Sequence, residues 1–418
     1  MLYCAPMNGP IFHHDAARSP APPARLLVVK LAELGDALLI TPALRGLRLG
    51  LPTTRIDVLT TGGGAAVLRG MGLADRVIVF DKHHFDRPAQ LLRPANIWRA
   101  LRLGRELRTA RYDAVLLFHH LSTRQGALKY AAFCAATGAP RRLGLDNGRG
   151  IFLHETAADE GYGAHHEVDY ALRVARLLVP EAERHAPRLD AGPEDLRVAD
   201  ELLAPSEGRP GPRIAIHPGS GAYAPARRWP AARFAAVADR LIAAGAQIVL
   251  LGGAEEHDLR RSMLAQMQHA GRVLDLGGRT TLHQLVAVLG SCTLFVGNDG
   301  GVMHVAAAAG TPVVAVYGPT DPRAWGPWSP EPWQPCRSYP NGVEVLQSGP
   351  HRTLKAAIAC SPCIYRGRGL GDPNGCPDRT CLRRITVAQV SETVFDRLAE
   401  TGVDLRTPQQ EARPAATI

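Results

Sequence analysis

Several groups that can do chemistry stand at the ends of short apolar runs. The most informative run is Phe295-Val-Gly-Asn298-Asp299-Gly300-Gly301-Val-Met-His304, continuing through alanines to Gly310 and Pro312. A strand that ends in glycines and opens a helix brings free backbone amides and a positive helix dipole to one point. That point suits a phosphate or diphosphate. The same residues also fit a plain β–α turn with Asp299 as the helix cap. A second run, Ile216-His217-Pro218-Gly219-Ser220-Gly221, leads to Arg227-Arg228-Trp229-Pro230. Arg227 can grip a diphosphate through paired hydrogen bonds; otherwise the two arginines form a solvated face. Gly219 to Ala224 also fits G-x-G-x-x-A, but Pro225 and Arg227 prevent a helix from opening there. No acidic strand end follows at the distance a dinucleotide site requires.

Four more groups carry weaker signals. Asp36, in Lys30-Leu-Ala-Glu-Leu-Gly35-Asp36, follows the first apolar run in a turn, before a helix expected from Ala37 to Leu49. A carboxylate there can act as general base toward a hydroxyl, or it can cap the next helix. Glu255 and Glu256 follow Leu251-Gly-Gly and can accept hydrogen bonds from ribose hydroxyls or oppose a helix dipole. Cys360, Cys363, Cys376 and Cys381 are spaced C-x2-C-x12-C-x4-C. That spacing fits a structural zinc site, with two disulfides or plain thiols as alternatives. From Ala95 to Arg111, Arg99, Arg102, Arg105 and Arg108 recur beside Trp98, Leu101 and Leu107, which are expected to share one stripe. Such a helix suits an anionic membrane or a phosphorylated acceptor; it is also the pattern of a packed helix with a solvated face. The pairs His83-His84, His119-His120 and His165-His166 lack the spacing of helix-borne metal ligands and are read as non-ligands.

The elements that must position these groups alternate. Arg25 to Lys30, Arg55 to Thr60, Val77 to Phe80 and Ala114 to Phe118 read as strands, with helices between them. A Pro/Gly-rich stretch from Ala204 to Pro212 interrupts the pattern. It restarts with strands at Arg213 to His217, Ile248 to Leu251, Val273 to Leu276, Leu294 to Val296 and Val313 to Tyr317. The expectation is an α/β protein of two Rossmann-like, doubly wound halves with a ligand cleft between them. The expected divisions are a disordered leader over 1–24, a first domain over 25–200, a linker over 201–212, a second domain over 213–400 and a flexible tail over 401–418.

With 418 residues, 46% hydrophobic and 21% charged, the chain can bury full-sized cores, which excludes general disorder and a small disulfide scaffold. The formal charge is +9, and only Lys30, Lys82, Lys129 and Lys355 are lysines. A surplus carried by arginine favours anionic partners. The longest uncharged stretch, Gly300 to Thr320, is broken by His304, Gly310 and Pro312. It reads as helix, stop and strand rather than a membrane span.

Taken in order, these motifs resemble glycosyltransferase family 9, the lipopolysaccharide heptosyltransferases. The resemblance rests on "LLVVKLAELGDALLITPALRGLRLGLPTTRIDVL", "YDAVLLFHH", "HHEVDYALRVARLL", "IAIHPGSGAYAPARRWPAARFAAVADRL", "VGNDGGVMHVAAAAGTPVVAVYGPTDPRAWGP" and the cysteine segment. It implies a GT-B fold and an inverting, metal-independent transfer from a nucleotide sugar, usually ADP-heptose. The first domain would hold the acceptor and the second the donor. By position, Asp36 would be the catalytic base, and Glu255 or Glu256 the ribose-binding acid. Asp299, Gly300, Gly301 and His304 would form the diphosphate loop, beside Gly219 and Ser220. Arg227 stands where the family usually has lysine. The partners implied are a nucleotide sugar and an anionic glycolipid, and the setting implied is the cytoplasm or the inner membrane surface. No cofactor is expected beyond structural zinc at the cysteines, and no nucleic acid, because no recognised nucleic-acid module accompanies the charge. Transfer of another activated sugar and NAD-dependent oxidoreduction are the competing readings.

Overall fold

A computed structural model describes residues 21–81, 93–204, 211–221, 223–403 and 405. Most of the expected leader, linker and tail, and His83-His84, lie outside these residues.

Six strands form the first sheet: β1 (Arg25–Lys30), β2 (Arg55–Thr60), β3 (Arg76–Val79), β4 (Ala114–Leu117), β5 (Arg141–Asp146) and β6 (Glu155–Ala158). Their order is β3-β2-β1-β4-β5-β6, and every pair is parallel. The second sheet contains β7 (Arg213–His217), β8 (Gln247–Leu250), β9 (Val273–Asp275), β10 (Leu294–Asn298), β11 (Val313–Tyr317), β12 (Gln334–Ser338), β13 (Val343–Ser348) and β14 (His351–Ala356). Its order is β12-β13-β14-β11-β10-β7-β8-β9, antiparallel only at β12-β13 and β13-β14. Within it, β9-β8-β7-β10-β11-β14 repeats the connectivity of the first sheet. In each half the winding reverses beside the first strand, between β1 and β4 and between β7 and β10. A crevice opens at the carboxyl ends of such strands.

The apolar runs at β1, β10 and β11 are buried almost throughout, as expected for strands covered on both faces. β14 is also buried throughout, yet its sequence, His-Arg-Thr-Leu-Lys-Ala, hides this. Arg352 is paired with Glu400 at 2.7 Å, and Lys355 lies 3.8 Å from Asp321. The strand was invisible by hydropathy because its charges are neutralised by distant partners.

Two boundaries differ from expectation. The helix after β1 starts at Leu34 and stops at Leu39, and a second runs Thr41–Gly50 with Pro42 in its first turn. Proline lacks the N–H that would continue the first helix, so it restarts one. Asp36 therefore sits in the first turn of a helix rather than in the preceding turn. The chain also reaches the second half before the expected linker. Leu189 N–H donates to Ala308 O at 3.2 Å, and helix Pro193–Leu203 packs on helix Leu282–Gly290.

The halves meet where helix Leu34–Leu39 packs on helix Gly301–Ala308. A β-carbon at Gly35 would stand 3.1 Å from His304 Cδ2 and 3.3 Å from Gly301 Cα; one at Gly301 would stand 3.3 Å from Leu34 Cδ2. A side chain at either position would crowd this helix–helix contact, most of all at Gly35, where backbone also lies close. Gly35→Val should push the halves apart, lowering kcat/KM by about a hundredfold with the circular dichroism unchanged. Full turnover would show that this approach is not needed.

Candidate active site

The two crevices face each other at that contact. On the first half, Asp36 lies 3.8 Å from Lys30 Nζ, with its carboxylate partly open to solvent. Lys30, Asp36, Phe118, His120, Glu167 and Tyr170 line one cleft.

On the second half, Gly300 caps helix Gly301–Ala308, and no side chain hydrogen-bonds to its start. Asp299 is not the cap. Its buried Oδ2 accepts from Thr320 Oγ1 at 2.7 Å and faces Arg227 Nη1 at 3.4 Å. Burial opposes the Arg227 charge, and Asp299 more than restores it. Arg227 Nε has no hydrogen-bond partner although it is buried. The guanidinium therefore holds donors in reserve beside an uncapped helix start, an arrangement that can accept an anion. Its neighbour Arg228 is spent on the loop itself, donating to Gly221 O at 2.8 Å and Ser220 Oγ at 3.3 Å.

Asn298 fixes this loop. Its Oδ1 accepts from Trp229 N–H at 2.9 Å, and its Nδ2 donates to Pro218 O and Gly219 O at 2.8 and 3.1 Å. A strand-end asparagine thus sets the path of residues 218–229 across the β7–β10 crevice. Gly221 has φ +73°, where glycine is favoured, and a β-carbon on Gly219 would collide with Glu256.

The two candidate ribose acids are not equivalent. Glu256 is buried and fully engaged. Its Oε2 meets His217 Nε2 at 2.8 Å and Gly253 N at 3.1 Å, and its Oε1 accepts from Gly221 N at 3.2 Å. Burial alone would raise its pKa, but His217 and the two amides outweigh that and hold it at about 2. Glu256 ties the loops after β7 and β8 together, while Glu255 is exposed. His304 is buried beside Gly35, and burial holds it below the ordinary histidine range, so the ring is neutral at pH 7.

The described cysteines are all free thiols. Burial and the charges of neighbouring thiols raise Cys363 and Cys381, so Cys360, Cys363, Cys376 and Cys381 are neighbours. Among the described residues, however, no three His, Cys, Asp or Glu are arranged as metal ligands. No described helix is long and apolar enough to cross a membrane.

The model of glycosyltransferase family 9 (heptosyltransferase) matches residues 100–345, more than half of the chain. The chain belongs to glycosyltransferase family 9. It is a glycosyltransferase with the GT-B fold. It is 28% identical to lipopolysaccharide heptosyltransferase 2 of Salmonella typhimurium over 309 residues, covering 71% of this chain and 84% of that one. Among solved structures, the ADP-heptose lipopolysaccharide heptosyltransferase II of E. coli has TM-score 0.65 at 24% identity, covering 91% of this chain and 100% of that one. A family 9 glycosyltransferase from Veillonella parvula has TM-score 0.67 at 23% identity, covering 90% and 97%.

Residue types alone did not reveal two features of this family member. His120, read from spacing as a non-ligand, lies in the cleft with Asp36. Its Nδ1 meets Asp159 at 2.8 Å, its Nε2 lies 3.3 Å from Glu167, and Tyr162 and Tyr170 pack on its ring. Tyr162, Trp325 and Tyr365 form an aromatic bridge between the halves, with ring centroids 5.0 to 6.2 Å apart. Backbone bonds between Tyr162 and Gly367, at 2.6 and 3.0 Å, lock it. Both features join residues far apart in sequence, and a co-varying pattern would be the signal that finds them.

Burial would lower the pKa of His120, but Asp159 and Glu167 outweigh it and raise the value to about 9. The folded state thus favours the proton. The resulting stabilisation is whole below the ordinary histidine value of 6.5 and is lost as pH rises through about 9. Thermal unfolding should therefore show Tm falling across pH 7 to 9.5 more steeply in the wild type than in His120→Gln. Parallel profiles would show that His120 is neutral in the folded protein.

Proposed function

We propose that this glycosyltransferase moves heptose from ADP-heptose onto a lipopolysaccharide-core acceptor, with inversion and without a catalytic metal. The observation that carries the reading is the placement of Asp36 opposite Arg227 and the uncapped start of helix Gly301–Ala308. A base and an anion site on opposite walls are what in-line displacement at a sugar carbon requires.

The acceptor hydroxyl oxygen attacks the anomeric carbon as the bond from that carbon to the diphosphate oxygen breaks. Asp36 takes the hydroxyl proton, and ADP leaves toward Arg227 and the amides of Gly300 and Gly301. Charge builds on the diphosphate in the transition state, and these fixed donors stabilise it there. Glu255 is assigned to the ribose, and Gly219 and Ser220 to the phosphate-facing loop. Neutral His304 packs behind the loop and adds no charge. The relatives' names support heptose, an ADP-heptose donor and lipopolysaccharide. The setting assigned is the cytoplasmic side of the inner membrane, where a glycolipid acceptor is available.

Asp36→Asn keeps the shape but removes the base. Turnover of ADP-heptose with a core acceptor should fall about 10²- to 10⁴-fold, with ADP affinity retained. An NMR assignment of the product should show the anomer opposite to the donor. Undiminished turnover in Asp36→Asn, or a retained anomer, would overturn the mechanism. Turnover only with a differently activated sugar would overturn the donor.

A further inference from the structure

The helix Pro94–Thr109 carries apolar side chains outward. Trp98 is 73% and Leu101 60% exposed, while Leu107 and Asn96 are buried. The stripe expected to unite Trp98, Leu101 and Leu107 therefore does not exist. At 100° per residue Leu107 lies opposite Trp98, whereas Leu101, Arg105 and Arg102 fall within about 100° of one another around Trp98. Ile97 at its edge is also exposed. Arg102 and Arg105 are exposed and carry no ion pair among the described residues. Helix Arg124–Thr137 packs alongside and adds Arg124 and, one turn later, Leu128, itself 73% exposed.

Water is a poor partner for an outward tryptophan and two leucines. The unpaired guanidinium groups set among them are equally poor partners for a purely apolar surface. An anionic bilayer satisfies both, because indole seats at the headgroup level and arginines meet lipid phosphates. Position supports the same occupant. Helix Pro94–Thr109 ends four residues before β4 begins, so its far end lies at the carboxyl edge of the sheet, where Asp36 and His120 stand. Helix Arg124–Thr137 starts at that edge after β4. Trp98, Leu101 and Leu128 all lie in the early turns of their helices.

We propose that Trp98, Leu101, Arg102, Arg105 and Leu128 form a docking face for an anionic phospholipid surface, seated at the rim of the Asp36 cleft. Bound this way, the enzyme presents the mouth of its first-half crevice to molecules embedded in that surface. The inference goes beyond the donor and acceptor assignments and stands without them, because the face is defined by exposure and charge alone.

Vesicle flotation of the full chain tests it. Vesicles of phosphatidylcholine containing phosphatidylglycerol should carry the wild type, and salt should release it. Pure phosphatidylcholine vesicles should carry far less. The doubles Trp98→Ser/Leu101→Ser and Arg102→Gln/Arg105→Gln should each lower the bound fraction about tenfold. Both should keep the wild-type circular dichroism and turnover with a lipid-free acceptor fragment, which separates lost docking from lost fold. Failure of the wild type to float with anionic vesicles would overturn the proposal. So would equal flotation with neutral vesicles, or undiminished flotation of both doubles. Failure of transfer itself, with flotation as described, would overturn the transferase assignment and leave the docking face standing.

Discussion

The site depends on a buried charge pair that is left incomplete. Asp299 is almost fully buried, and its nearest cation, Arg227, stands at a loose 3.4 Å with Nε unpartnered. Taking both charges from water costs several kcal/mol each, yet Asp299 and its neighbours hold the buried Arg227 guanidinium charged. Removing either alone would cost more, because the other would be buried unpaired. The structure tolerates the pair because Thr320 and the uncapped helix start sit beside it. An anion placed there would complete the donor set of Arg227.

The other features hold that pair in place. Asn298 fixes the loop that carries Arg227. Glu256 and His217 tie the same loop to the next β–α connection. Gly35 and Gly301 let the opposing crevice come near enough for Asp36 to face the site. The aromatic bridge of Tyr162, Trp325 and Tyr365 closes the same gap from the other side. The first two lie within the second half, and the last two join the halves. Two copies of one winding rule therefore account for why Asp36 and Arg227 can confront each other.

The sequence revealed the parts that local physics controls. Apolar runs marked β1, β2, β7, β10 and β11, and glycines between strand and helix marked Asp299 to Gly301. It concealed what depends on distant partners. β14 looked polar because Glu400 and Asp321 neutralise it from elsewhere. His120 looked inert because the carboxylates that charge it lie 39 and 47 positions on. Glu255 and Glu256 looked interchangeable until the loops showed which was already bonded. The Arg-rich helix was recognisable from its sequence, but which apolar residues it buries was not, since Leu107 and Trp98 face opposite ways.

The central claim is that Arg227 and the start of helix Gly301–Ala308 form the diphosphate site. Calorimetric titration of ADP, UDP, GDP and NAD into the wild type and Arg227→Ala tests it most directly. The expected result is preferential ADP binding, with affinity falling about tenfold or more in Arg227→Ala, as the loss of a charge-assisted bidentate contact requires. Equal ADP affinity in the two proteins would place the nucleotide elsewhere and contradict the account.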